Sequence, residues 1–381
     1  MEAEIKTIPL ARLSSGDELA LQVYQFLGSQ RGKKVYLQAN LHGAEIVGNA
    51  VIGQLITWLH SLTRQQLLGE IWLVPACNPL GMNQRSHFFS SGRYNPYDGK
   101  DWNRIFSPDE DHERDRAKFA QQHLNSSQDS IYRAYLDQLQ SQLDKAQSFQ
   151  SSGVSYAVKY GNVLKSLCLD ADIVIDIHSS SNQGIDYLFT FPKQDESAKA
   201  FLLDVGLVVK QPEGYTFDEA FLKPWLSLEE TFAQLGRSLN FNLESWTLEL
   251  GSGMTANPQS VEKGVTGIKN YLATKGVVNV SDFPLSETKD HHIYLADKSQ
   301  LKKYYAPTGG IIETYPLIRT PVKAGNSLYQ ILELNKQQQL PNLITVTAEE
   351  SGLVFDVGKN QAVNEGEYVL SVLETGETHD S

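Results

Sequence analysis

Four side chains stand out for the chemistry they could do: His42, Glu45, His178 and Glu249. His42 and Glu45 share one short segment, Leu41-His42-Gly43-Ala44-Glu45, while His178 and Glu249 each close an apolar run much further along the chain. Imidazole and carboxylate suit Zn2+, and three protein ligands leave a coordination position for water, which marks a catalytic rather than a structural site. On this reading His42, Glu45 and His178 hold one Zn2+ per chain. Glu249 has no partner at ligand spacing and is left to take the water's proton. Each element alone is unspecific. A His-Gly-x-Glu tetrapeptide arises by chance, a lone histidine usually packs in a core or faces solvent, and a strand-end glutamate can sit in a salt bridge. Their co-occurrence, in this order and context, carries the reading.

A site assembled from residues 42 to 249 needs a scaffold that gathers distant strand ends. Val35–Asn40 reads as a buried strand running into the His42 segment, and Ile46–Leu62 has helical length. A second strand, Glu70–Ala76, leads into the turn Asn78-Pro79-Leu80-Gly81. Ala171–His178 reads as a strand whose alternation places Asp176 and His178 on one face and the isoleucines on the other. Ser245–Leu250 is another, with Ser245, Thr247 and Glu249 sharing a face, followed by a helix over about 260–275. Strand, loop, helix, strand predicts an α/β fold with a mainly parallel sheet, and such sheets collect ligands at the carboxyl ends of their strands.

The segment between the turn and Phe106 is rich in Gly and Pro and carries Arg93, Asn103 and Arg104. A polar surface loop is one reading; an anion-binding loop is the other, because guanidinium forks match carboxylates. From Ser107 the chain becomes polar and helical. Ser107, Pro108 and Glu110 fit a capped helix start, and Ser151-Ser152-Gly153 an end, so residues 107–152 are expected to be a helical insertion with a break near Asn125. After about residue 285 short strands and Gly turns predominate. A faint repeat pairs Ala306–Ile311 and Gly325–Leu328 with Ala348–Leu353 and Gly366–Val369, which predicts a small barrel-like sandwich. The expected division is therefore a catalytic α/β domain over 1–285 and a β domain over 286–381.

The 381 residues are 41% hydrophobic and carry a formal charge of −12. An acidic balance argues against a nucleic-acid footprint but not against a small anionic substrate at a locally basic site. No apolar run approaches a membrane span, and Met1–Lys6 lacks the start of a signal peptide, so a cytoplasmic protein without membrane partners is expected. Cys77 and Cys168 both fall in apolar, strand-like runs and read as buried free thiols.

With these pieces in hand, the sequence resembles the zinc carboxypeptidase clan, and within it the succinylglutamate desuccinylase/aspartoacylase branch. The matching pieces are His42-Gly43-Ala44-Glu45, the Asn78-Pro79 turn, Arg93 with Asp101-Trp102-Asn103-Arg104, Asp176-Ile177-His178 and Thr247–Gly251. The resemblance covers about residues 30–275, and the C-terminal β region is also like that branch. It implies a zinc-carboxypeptidase-like mixed sheet flanked by helices, and a hydrolase cleaving the amide of a small anionic N-acyl amino acid. It implies that His42, Glu45 and His178 bind Zn2+, that Glu249 is base and then acid, and that Arg93 steadies the carbonyl oxyanion. It further implies that Asn103 and Arg104 grip a substrate carboxylate and that Asp101 orients His42. Ala44 stands where an acid is common in the family and Trp102 where a smaller residue is usual. The remaining pocket tyrosine and arginine have only candidates: Tyr215, Arg237, Tyr304 and Tyr305. His87 is a candidate for substrate contact, and His291-His292 reads as an exposed linker. Lys336 stands roughly where biotinyl and lipoyl carriers bear their modified lysine, but Asn335, Gln337 and the longer loop argue against carriage. A metallocarboxypeptidase acting on peptides and a zinc-binding protein without catalysis are the alternatives, and homo-oligomerisation is left open.

Overall fold

The structure, a computed structural model, describes residues 1–87, 89–106, 113–148, 155–334, 336 and 338–375. In chain order, β1 (Glu4–Arg12), β2 (Glu18–Leu27) and β3 (Gln30–Ala39) precede α1 (Val47–Ser61) and β4 (Leu68–Val74). A single turn of helix, α2 (Pro79–Met82), and a small hairpin, β5 (Arg85–Ser86) with β6 (Phe89–Ser90), follow. Then come α3 (Glu113–Gln122), α4 (Gln128–Ser148), α5 (Tyr156–Cys168), β7 (Ile173–Ser180), β8 (Gln183–Gly184) and β9 (Tyr187–Thr190). The α/β part finishes with α6 (Asp195–Lys199), β10 (Val205–Val208), α7 (Phe217–Gln234), β11 (Glu244–Ser252), α8 (Pro258–Thr274) and β12 (Tyr294–Asp297).

Nine of these strands form one sheet in the order β1-β2-β4-β3-β7-β11-β9-β10-β12. It is mixed but mainly parallel: β4, β3, β7 and β11 run together, as do β9, β10 and β12, while β1–β2, β2–β4 and β11–β9 are antiparallel. The three strands that lead into or carry the candidate ligands and base are therefore central neighbours. Alternation divides the sheet's faces. Ile173, Ile175, Ile177, Trp246, Leu248 and Leu250 point into a mainly apolar layer against α1 and α8. Along α1 the buried positions Val47, Val51, Ile52, Leu55 and Leu59 recur at helical spacing, each contributing about 1.5–3 kcal/mol when fully buried. The opposite face, carrying Tyr36 and Val174, packs under α3, α4, α5 and α7.

Within the expected helical insertion, residues 113–148 form α3 and α4 with a turn over residues 123–127, near the expected break. Its expected capping residues Ser107, Pro108 and Glu110 and its expected end at Ser151–Gly153 lie outside the described residues. Cys168 differs from expectation: it is the last residue of α5, not part of a strand, while Cys77 lies in the turn after β4; both are buried free thiols. The apolar run around Cys168 is the inward stripe of a helix, whose period a short window does not separate from a buried strand. α5 and α7 have no counterpart among the elements expected from the sequence.

β12 extends the large sheet past residue 285, where the sequence suggests a division. Beyond it lie β13 (Leu301–Tyr305), β14 (Gly310–Thr314), β15 (Pro321–Val322), β16 (Ser327–Glu333), β17 (Asn342–Thr347), β18 (Gly352–Val357), β19 (Ala362–Val363) and β20 (Tyr368–Glu374). They form antiparallel sheets ordered β13-β20-β18-β15 and β17-β16-β14-β19 around their own apolar cluster. The internal repeat is visible as reciprocal bonds. Ala306 N–H donates to Glu367 O and Gly366 N–H to Ala306 O; Ala348 N–H donates to Asn326 O and Gly325 N–H to Ala348 O. Gly325 and Gly366 have φ of 82° and 80°, the left-handed turn that favours glycine. Lys336 is exposed, and its neighbours Asn335 and Gln337 lie outside the described residues. Among the described residues no helix is long and apolar enough to cross a membrane.

A glycine contact fixes the loop after β3. Gly43 N–H donates to Gly92 O at 2.9 Å. A Cβ on Gly43 would lie 2.0 Å from Gly81 O, and one on Gly92, whose φ is +84°, would meet the same oxygen at 2.0 Å. Three backbones thus touch with no room for a methyl group. Gly43→Ala is expected to cost at least the roughly 1–3 kcal/mol of overpacking, because a backbone oxygen cannot swing aside as a side chain would. Calorimetry should show a melting temperature several degrees lower; an unchanged value would mean that the loop relaxes without strain.

Candidate metal centre and active site

Asn40, with φ of 71°, ends β3 and turns the chain outward. Its side-chain amide donates to His42 O, Gly43 O and Glu45 O at 3.2–3.3 Å, and Asn78 Nδ2 donates to Leu41 O at 2.7 Å. The loop is thereby wound so that His42 and Glu45 face the end of β7. There the two oxygens of one carboxylate meet two imidazoles: Glu45 Oε1 lies 2.9 Å from His42 Nδ1, and Glu45 Oε2 lies 2.9 Å from His178 Nδ1. Ser179 N–H also donates to Oε2 at 3.2 Å. All three side chains are buried. One donor atom from each falls within 4.8 Å of the others, the only group of three or more His, Cys, Asp or Glu residues so placed among the described residues. Two imidazoles and a carboxylate are a donor set that fits zinc.

Each imidazole is held from behind by a further carboxylate. His42 Nε2 lies 2.8 Å from Asp101 Oδ1, and His178 Nε2 lies 2.8 Å from Asp176 Oδ2. Asp176 is completely buried and takes a 3.1 Å bond from Gln38 Nε2, whose Oε1 accepts from Tyr36 O–H at 3.0 Å. Such outer carboxylates fix the tautomer and orientation of a metal-binding histidine. Asp101 was assigned this part from the resemblance. Asp176 was not, although its place two residues before His178 on the same strand face was the signal for it.

Glu249 is the register neighbour of His178 on β11. It is half-buried, and Tyr187 on β9 stands directly across from it. Arg93 is held by Asp101 Oδ2 at 3.0 Å from Nε and by Glu45 Oε1 at 3.6 Å from Nη1, and it donates to Ser181 Oγ at 3.4 Å. Asp101, Trp102, Asn103 and Arg104 form a short turn in which Asp101 Oδ1 also accepts from Asn103 N–H at 2.8 Å. Asn103 Oδ1 accepts from Phe217 N–H at 2.8 Å, which ties this turn to the start of α7. Arg104 is exposed and rests one terminal nitrogen on Asn103 O at 2.7 Å. Trp102 is fully buried beside Tyr156 and Tyr160 and does not line an open pocket.

Tyr304 is buried in the C-terminal cluster and accepts from Glu349 N–H, and Tyr305 is exposed on the same strand. Arg237 donates to Leu124 O, and Tyr215 is exposed on the loop before α7. His87 sits between β5 and β6 with φ of 56°. His291 has one ring nitrogen 2.9 Å from Leu203 O.

The charges follow from this packing. Burial alone would raise the Glu45 carboxyl, but His42 and His178 hold it well below the carboxylate range. Burial also opposes the Asp101 carboxylate, yet His42 and Arg93 bring it down to about 2. Burial would lower His178, but Asp176 and Glu45 raise it well above the ordinary value, and His42 is raised by Glu45 and Asp101 against the same penalty. Glu249 differs: burial pushes it up to about 7, opposed by His178 and helped by Glu45.

Fold and site together define a class: a mixed α/β protein with a His-Glu-His cluster able to hold a metal ion at the carboxyl ends of its central strands. Residues 31–162 match the succinylglutamate desuccinylase/aspartoacylase catalytic domain family. A succinylglutamate desuccinylase/aspartoacylase family protein from Shewanella amazonensis SB2B is 30% identical, with a TM-score of 0.88 over 98% of this chain and 99% of that one. A second, from Shewanella frigidimarina NCIMB 400, is 29% identical, with a TM-score of 0.88 over 98% of both chains. The succinylglutamate desuccinylase/aspartoacylase from Rhodobacter sphaeroides shares the fold at 18% identity and a TM-score of 0.67, over 98% of this chain and 95% of that one. No curated protein matches the chain. The chain belongs to the succinylglutamate desuccinylase/aspartoacylase family, which places it with enzymes of hydrolytic deacylation.

The raised Glu249 carboxyl makes a stability prediction for metal-free protein. An acid raised on folding contributes stability that is full below its unfolded value, about 4.3, and is lost as pH rises through the folded one. Wild type stripped of metal should lose melting temperature between about pH 5 and 7 relative to Glu249→Gln, whose amide does not ionise. Melting curves of both proteins across that range check it. Parallel pH profiles would mean that Glu249 titrates alike in folded and unfolded chains.

Proposed function

We propose that the protein is a zinc-dependent hydrolase that cleaves the amide bond of a small, anionic N-acyl amino acid or related compound. The observation that carries this reading is the convergence of His42 and His178 on the two oxygens of Glu45, with Glu249 and Arg93 beside them. One zinc ion held by His42, Glu45 and His178 would bring the pKa of a bound water towards about 7 and polarise a carbonyl group. Glu249 then takes a proton from the attacking water and passes it to the departing amine, work that suits a carboxyl with a pKa near the working pH. Arg93, gathered by Asp101 and Glu45, then steadies the carbonyl oxygen as it gains charge. Asp101 and Asp176 keep the imidazoles in one orientation.

Clustered cations on an acidic protein call for an anionic partner, and Arg104 with the side-chain amide of Asn103 would take a substrate carboxylate. We place the protein in the cytoplasm, and infer that residues beyond about 300 form a second unit, a barrel-like sandwich.

Metal analysis should find about one zinc per chain in wild type and a small fraction of that in His178→Ala. Glu249→Gln should keep its zinc yet lose about 100-fold or more in kcat. If it loses the metal, Glu249 is itself a ligand; if it turns over normally, another base operates. In a panel of N-acetyl, N-succinyl and uncharged N-acyl amino acids beside blocked dipeptides, an anionic acyl amino acid should be cleaved fastest. Arg104→Ala should lower kcat/KM for that compound by about tenfold or more with zinc content unchanged. Faster cleavage of the peptides would make the protein a metallocarboxypeptidase.

A further inference from the structure

The strand that carries His178 ends in the segment Ser180-Ser181-Asn182, and this segment is fastened by a residue from the C-terminal sheets. Asp356, on β18, is buried at 9% exposure. Its carboxylate accepts from Ser180 O–H, from Asn182 Nδ2–H at 3.0 Å and from Tyr368 O–H at 2.5 Å. Ser180 Oγ in turn accepts from Asn182 N–H at 3.1 Å, so the turn closes around the bond to Asp356. The backbone continues the attachment: β8 pairs with β18, with Gly184 opposite Asp356 and Gln183 opposite Val357.

The same segment touches the other parts of the site. Ser181 Oγ accepts from Arg93 Nη1 at 3.4 Å. Ser180 O accepts from Gly253 N–H at 2.7 Å, and Asn182 O accepts from Ser252 O–H at 2.5 Å, which ties in the strand of Glu249. Met254 N–H donates to Ala44 O at 2.7 Å, which ties in the loop of His42 and Glu45. From the C-terminal side, Lys359 Nζ donates to Gly253 O at 2.7 Å. Behind these bonds Phe355, beside Asp356, packs its ring edge-on against Tyr187 at 4.7 Å, and Tyr187 is the register neighbour of Glu249.

A buried carboxylate with three donors is costly to leave unpaired and holds its partners firmly when satisfied. We propose that Asp356 is a positioning residue of the hydrolytic site: through Ser180 and Asn182 it sets the segment that meets Arg93 and joins the strand ends of His178 and Glu249. The C-terminal sheets then belong to the catalytic unit through a defined polar contact. The kinetic part of this proposal rests on the hydrolase reading; the structural part does not.

The experiment compares zinc-loaded wild type with Asp356→Asn, Ser180→Ala and the double variant, and uses Glu349→Ala, an exposed acid of the same sheets, as control. Hydrogen exchange read by mass spectrometry over residues 178–186 should rise about tenfold or more in Asp356→Asn, with little change in α1 and α8. For the panel compound that wild type cleaves best, kcat should fall about tenfold or more while KM moves less than about threefold and zinc content holds. The double variant should fall no further than the worse single variant, because both remove one contact. Exchange in 178–186 that stays at the wild-type rate overturns the proposal, as does an unchanged kcat or a change confined to KM. Should Asp356→Asn fail to fold, Ser180→Ala and Tyr368→Phe, each removing one donor, carry the same comparison. Should wild type cleave no compound in the panel, the hydrolase reading falls and the exchange measurement alone decides whether Asp356 holds the segment.

Discussion

Glu45 is the point on which the site turns. A single carboxylate, nearly all of it out of solvent, receives an imidazole at each oxygen, one from its own loop and one from a strand 133 residues away. Burying a carboxylate without partners would cost several kcal/mol. The fold therefore has to deliver both imidazoles together or neither, and much of the architecture serves that delivery. β3 and β7 are parallel neighbours, so the chain leaving β3 emerges beside His178. Asn40 and Asn78 then wind the emerging loop until Glu45 reaches across.

The two sheet faces divide the work. The isoleucines of β7 with Trp246, Leu248 and Leu250 of β11 build an apolar layer under α1 and α8, which supplies hydrophobic stabilisation. The other face carries Tyr36, Gln38, Asp176, His178, Thr247 and Glu249 as neighbours. Along it Tyr36 meets Gln38, Gln38 meets Asp176, Asp176 meets His178, and Thr247 meets Asp218 of α7. A satisfied polar column of this kind is rigid, because loosening one member exposes the desolvation cost of the next. Glu249 stands at its open end beside His178, where burial outweighs the pull of the imidazole on its carboxyl.

How much of this could be read from the sequence depends on the range of the interaction concerned. The strands around His178 and Glu249 were legible because alternation is local, and it placed Asp176 and His178 on one face correctly. α1 and α8 were legible from their length and apolar content. The same local reasoning misplaced Cys168, since the apolar stripe of α5 seen through a short window looks like a buried strand. β12 was read as part of the C-terminal region because a four-residue edge strand has too little pattern to declare its sheet. The glycine contact among residues 43, 81 and 92 has no local signature, for any of these residues could have been an ordinary turn glycine. Nor has the bond between Asp356 and Ser180, formed across 176 residues.

The arrangement also lets an acidic chain present a cation beside its candidate metal centre. The formal charge of −12 is an average over the surface. Around the site the acids are spent inward: Glu45 on two imidazoles, Asp101 on His42 and Arg93, Asp176 on His178. What faces outward is the exposed part of Arg93, with Arg104 close behind it in sequence on the same loop. Two of these carboxylates, Glu45 and Asp101, also gather Arg93. The field felt by an incoming anion is therefore set by which groups remain uncovered and not by the net charge. Asp101 holds both ends of this balance, since one oxygen meets His42 and the other meets Arg93. Its carboxylate links the orientation of His42 to the position of Arg93.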